Sequence, residues 1–73
     1  AGLSKRAYSI LSLFALEKVW GVTDISKELE LPPSSTFSEL NKLEEAGIIT
    51  KLGKKRALTD FGAKVVEDLH DAL

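Results

Sequence analysis

Pro32 and Pro33 divide a sequence of otherwise helical character, and Gly47 divides it again. A proline inside a helix removes an amide donor and crowds the preceding turn, yet proline is well tolerated in a first turn. One helix must therefore end before Leu31, and another can begin near Pro33 or Ser34 and run to Ala46, where Gly47 offers a left-handed cap. Upstream, Leu3, Ala7, Ile10, Leu11 and Phe14 recur at helical spacing and predict a first helix from Leu3 to Lys18, with Ser4 available to cap it. Gly21 stops the next stretch, Val22 adds a short strand stub, and Thr23 is expected to cap a second helix running through Ile25 and Leu29 to about Glu30.

After Gly47 the period changes. Ile48 to Leu52 reads as a strand, Gly53-Lys54-Lys55 as a turn and Arg56-Ala57-Leu58 as the returning strand. Thr59 then caps a last helix whose apolar stripe is Phe61, Val65, Val66, Leu69 and Leu73, with Asp60 favourably placed at its positive end. The order helix, strand stub, helix, helix, hairpin, helix is an α+β chain, mainly α: a three-helix core, a short β-hairpin and a C-terminal helix. The expected core joins Ile10, Leu11, Phe14, Ile25, Leu29, Phe37, Leu40, Leu43, Ile49, Leu58, Phe61, Val65 and Leu69.

Length and composition bound the function. Seventy-three residues suffice for one domain, read here as 1–73, and leave no room for a second, ligand-sensing one. Without cysteine there is no disulfide or thiolate metal site, and His70 stands alone, so no metal or other cofactor is expected. No phosphate-binding glycine loop or nucleophile and base pattern points to an enzyme. The first helix is interrupted by Ser4, Lys5, Arg6, Ser9 and Ser12, which argues against a membrane span or signal peptide and for a cytoplasmic protein. The Ala1-Gly2 start is that expected of an expression scar or of a domain cut from a longer chain, and the lack of Gln, Met and Cys, with Asn41 the single Asn, fits a thermophilic source.

The run from Val22 to Leu29 followed by Leu31-Pro32-Pro33-Ser34-Ser35-Thr36-Phe37 resembles the helix-turn-helix of bacterial and archaeal winged-helix regulators of the MarR, ArsR and IclR kinds. Leu40 to Ile49 is similar to their recognition helix entering the first wing strand, and Leu58-Thr59-Asp60-Phe61-Gly62 resembles the motif that ends their wing. The resemblance implies a winged helix-turn-helix that binds double-stranded DNA in transcriptional control.

On a wheel of about 100° per residue, Thr36, Phe37, Leu40 and Leu43 are read as inward, and Ser34, Ser35, Ser38, Asn41, Lys42 and Glu45 as outward. Serine hydroxyls suit phosphates or base edges, Asn41 suits adenine, and Lys42 suits phosphate or guanine. The plainer alternatives are that Ser34 or Ser35 caps the helix and that Asn41 and Lys42 are solvated surface. Glu39 departs from the related regulators, which often carry Arg or Lys there; its carboxylate repels phosphate, and the roles open to it are to accept from a cytosine amino group or to sit in a surface or intramolecular ion pair. In the hairpin, Lys51, Lys54, Lys55 and Arg56 concentrate positive charge with no acid among them, and Arg56 is the candidate for groove insertion. The alternative for the hairpin is a soluble edge protected from pairing.

The formal charge of −1 conceals a basic hairpin and an acidic last helix carrying Asp60, Glu67, Asp68 and Asp71. Modest affinity as a monomer follows, and a homodimer would offset it, with Tyr8, Leu13 and Leu16 off the main stripe of the first helix and Leu69 and Leu73 on the last as candidate surfaces, burial within the domain being the plainer role for each. Trp20 reads as a core edge or a binding platform. The competing function is a protein-docking winged helix excised from a larger replication, transcription or membrane-remodelling assembly.

Overall fold

Helix α1 (Lys5–Leu16) begins where the Ser4 hydroxyl accepts from the Ala7 amide at 3.1 Å, as its sequence position promised. The structure is a computed structural model and describes residues 3–71, the His70 side chain excepted, so Leu73 and that side chain lie outside the described residues. There follow β1 (Val19–Gly21), α2 (Val22–Leu29), α3 (Pro33–Glu45), β2 (Ile49–Leu52), β3 (Lys55–Leu58) and α4 (Asp60–Asp71). Among the described residues no helix is long and apolar enough to cross a membrane.

The strand before α2 is Val19–Gly21, not Val22, and it runs straight into the helix. Gly21 is therefore the N-cap and no side chain caps α2, so Thr23 does not have the role expected of it. In that position β1 pairs with β3, making β3 the middle strand of an antiparallel sheet ordered β1-β3-β2. Arg56 is thereby flanked by Trp20 on one side and Lys51 on the other. Trp20 is a core edge: its indole N–H donates to the Leu13 carbonyl at 2.8 Å, joining the sheet to the end of α1.

Helix α3 starts with Pro33 in its first turn and Pro32 as N-cap, so neither Ser34 nor Ser35 supplies a side-chain cap. It ends with Gly47 at φ +79°, the Gly47 amide bonded to the Glu44 carbonyl and the Ile48 amide to the Leu43 carbonyl. This is the Schellman pattern the glycine foretold. The turn between α2 and α3 uses the same left-handed geometry at Glu30, φ 53°, where a Cβ makes the conformation costly.

Ile10, Leu11, Phe14, Ile25, Leu40, Leu43 and Ile49 form the core, with Leu29, Leu58, Val65 and Leu69 packed partly buried against it. Leu13 and Ile48 are buried too, so Leu13 belongs to the interior rather than to a free surface. Phe37 and Phe61 were expected inside and are exposed. Helix α3 approaches α2 through a buried hydrogen bond from the Ser26 hydroxyl to Thr36 Oγ1 at 3.0 Å. These small side chains let the helices draw together on Thr36, which turns the neighbouring Phe37 outward. Phe61 is displaced by the residue after it: a Cβ on Gly62 would lie 1.8 Å from the Ile48 carbonyl oxygen, so Gly62 takes the contact face and Phe61 rolls away.

Candidate nucleic-acid interface

Two elements carry the residues suited to nucleic acid. On α3, Ser34, Ser38, Asn41 and Lys42 are exposed and Ser35 is half-buried. Their common face follows from burial of Thr36, Glu39, Leu40 and Leu43 on the other side. The inward position of Glu39 removes the obstacle read from its sequence. Its carboxylate accepts a hydrogen bond from Ser4 at 2.9 Å, so the hydroxyl that caps α1 also ties that helix to α3. Lys42 Nζ stands 3.6 Å from the other Glu39 oxygen, with 72% of its side chain exposed. The ammonium is thus paired with an inward carboxylate while most of the lysine side chain remains in solvent.

The hairpin is the second element. Leu52 pairs with Lys55 across the two-residue tip Gly53-Lys54, and Gly53 has φ +62°. Positive φ at the first tip position is the arrangement of a type II′ turn, which glycine adopts without cost and which matches the twist of paired strands. Lys51, Lys54 and Lys55 are exposed along this hairpin. Arg56 is not available for groove insertion, since only 7% of the residue is exposed. Its place in the middle strand directs it against the end of α3, where Nε lies 3.9 Å from Glu44 Oε2 and Nη1 donates to the Lys55 carbonyl at 3.1 Å. Nε itself is buried without a hydrogen-bond partner. Arg56 therefore braces the hairpin against α3 rather than extending the basic surface.

Between the two elements lies a hollow lined by Asn41, Glu44, Glu45 and Lys51, which brings a polar α3 position and a hairpin cation to one opening. Glu45 is exposed there. Phe37, expected inside, is exposed on the same helix outside that hollow. It lies one helical turn before Asn41, and that spacing was the available signal.

The sequence pattern of the IclR helix-turn-helix domain matches residues 5–53, which include α1, β1, α2, α3 and the first hairpin strand. The chain belongs to the IclR helix-turn-helix domain family. The fold is that of winged helix-turn-helix DNA-binding domains. A MarR family protein from Bacillus stearothermophilus superposes with a TM-score of 0.88 at 16% identity, covering 99% of this chain and 54% of that one. A Mycobacterium tuberculosis MarR family protein gives 0.79 at 23% identity, covering 97% and 56%. At such identities these two show the shared fold. A hypothetical protein of Sulfolobus solfataricus gives 0.78 at 30% identity, covering 92% and 55%. In sequence, this IclR-type domain is 40% identical over 70 residues to the phenylalanine–tRNA ligase alpha subunit of Sulfolobus acidocaldarius, covering 90% of the chain and 15% of that protein. The chain thus spans about half of each structural relative and a small part of the ligase subunit.

Proposed function

We propose that this domain binds double-stranded DNA sequence-specifically in transcriptional control, with α3 in the major groove and the hairpin on the backbone or minor groove. The observation that carries the reading is the division of exposed chemistry: Ser34, Ser38, Asn41 and Lys42 on one helix face, and Lys51, Lys54 and Lys55 on the adjoining hairpin. Hydrogen-bonding groups on a helix suit base edges, and lysines on a hairpin suit phosphates. Ser35, half-buried, is left to a backbone contact at the start of the helix. Two copies on successive half-sites would compensate for the few cations of one domain. Exposed Tyr8 and Leu16 on α1 are the surface we assign to that pairing.

A second reading is favoured by the 40% identity to the tRNA ligase subunit: a nucleic-acid-binding appendage of a synthetase, whose hairpin lysines follow RNA phosphates. The major groove of A-form RNA is too deep and narrow to admit α3, so such binding would read shape rather than base sequence. Titrating the domain against mixed duplex DNA, duplex RNA and tRNA at several salt concentrations separates the two. Three lysine contacts to B-DNA phosphates give a log–log salt slope of about −2.7. Absence of salt-sensitive duplex affinity, or tighter binding of tRNA, would overturn the DNA reading.

A further inference from the structure

We propose that Phe37 reads thymine, packing its ring on the 5-methyl group that this base presents in the major groove; the inference rests on the DNA reading above. Phe37 is 47% exposed, although large aromatic side chains gain most from burial. It is not an isolated apolar residue on a neutral surface. Ser34 stands three positions before it, Ser38 follows it and Asn41 lies one turn further on, so the ring is set among exposed groups that can hydrogen-bond to base edges. Behind it, at the turn joining α2 to α3, the ring borders a shallow and mainly apolar hollow of about 350 Å³, lined also by Val22, Leu31 and Pro33. Thr23, Ser26 and Lys27 also line the hollow, yet its surface is mainly apolar, so ring and hollow form an apolar end to an otherwise polar face.

Among the major-groove edges of the four bases, only thymine offers an apolar group, and aromatic contact with that methyl is one of the ways side chains recognise it. Phe37 and Asn41 are four residues apart, which places their side chains about 5–6 Å from one another on one helix face. That separation spans neighbouring base pairs, whose rise is roughly 3.4 Å. Asn41 paired with adenine and Phe37 packed on thymine would therefore select adjacent A·T pairs. The same ring gains nothing from uracil, which lacks the methyl group.

The test starts from duplexes enriched by the unmodified domain from a randomised pool, in which each thymine is replaced singly by uracil. At one position the replacement is expected to weaken binding about fourfold, the worth of burying one methyl group. Phe37→Ala should lose a similar factor on the thymine duplex and become indifferent to uracil at that position, with Phe37→Leu intermediate. The uracil scan needs no variant, so it decides the matter even if Phe37→Ala folds poorly. Intact duplex binding with no sensitivity to uracil at any position overturns the inference and leaves the DNA reading standing. Failure to bind any duplex DNA overturns both. A folded Phe37→Ala that binds duplex DNA as the parent does also overturns it, and leaves the ring to a protein contact.

Discussion

Helix α3 and the hairpin have neighbouring surfaces but spend their charged residues in opposite ways. On α3 the acid at position 39 is drawn inward to Ser4, and the cation at position 42 stays close to that acid. On the hairpin, Lys51, Lys54 and Lys55 stand in solvent while only Arg56 is drawn inward. The helix is thereby left with mostly neutral hydrogen-bonding groups and one exposed ring, the hairpin with point charges. Neutral groups discriminate through geometry, whereas solvated cations attract any phosphate. On the proposed DNA reading, specificity and general affinity are therefore separable and open to separate mutation.

The largest effects should come from disturbing the buried side of α3. Leu40→Ala removes a fully buried side chain and is expected to destabilise by about 2–5 kcal/mol, measured by denaturant unfolding. Phe37→Ala, from the exposed side of the same helix, should cost less than half as much. Equal losses for the two would break the distinction between the faces.

Arg56 tests the boundary between helix and hairpin. Arg56→Ala strands Glu44 without its cation and opens a gap beneath the hairpin, with an expected cost of roughly 1–3 kcal/mol in thermal unfolding. Arg56→Met, which keeps the packed stem but leaves Glu44 equally unpaired, should recover the packing part of that loss and not the part that comes from the lost cation. Neither variant should alter the salt slope of DNA binding. A slope flattened by Arg56→Met would return the residue to the phosphate-contacting surface.

The paired change Lys54→Ala and Lys55→Ala should leave unfolding nearly unchanged, since both side chains are exposed. It should flatten the log–log salt slope by about 1.8, the contribution of two phosphate contacts. Binding should weaken on selected and scrambled duplexes alike; a loss confined to the selected one would give the hairpin a share in base reading.

The smallest effect belongs to Glu39→Gln. The amide retains an acceptor for the Ser4 hydroxyl but no longer holds Lys42 electrostatically, so stability should change by no more than about 1 kcal/mol. Duplex affinity should rise slightly as the lysine is released. A fall in affinity, at unchanged stability, would mean that the pairing positions Lys42 for its contact.

Much of the architecture was written locally in the chain. Proline in the first turn of α3, Gly47 at its end, Ser4 and Thr59 as caps and Gly53 at the hairpin tip each act through their own backbone or a neighbour's, so their effect can be read without knowing the fold. Periodicity likewise identified most of the core and the exposed Ser34, Ser38, Asn41 and Lys42, and the run of charge marked the hairpin lysines. Three assignments depended on partners remote in sequence. Thr36 meets Ser26 across the turn and swings Phe37 outward; Gly62 meets the Ile48 carbonyl and displaces Phe61; β1 joins β3 and makes Arg56 an interior residue. A wheel gives the relative angles of side chains on one helix, but the absolute rotation of that helix is set by where it packs most closely. The sequence by itself therefore determined the order of elements and both ends of α3, while tertiary contact decided where β1 lies, that Glu39 and Arg56 turn inward and that Phe37 faces out.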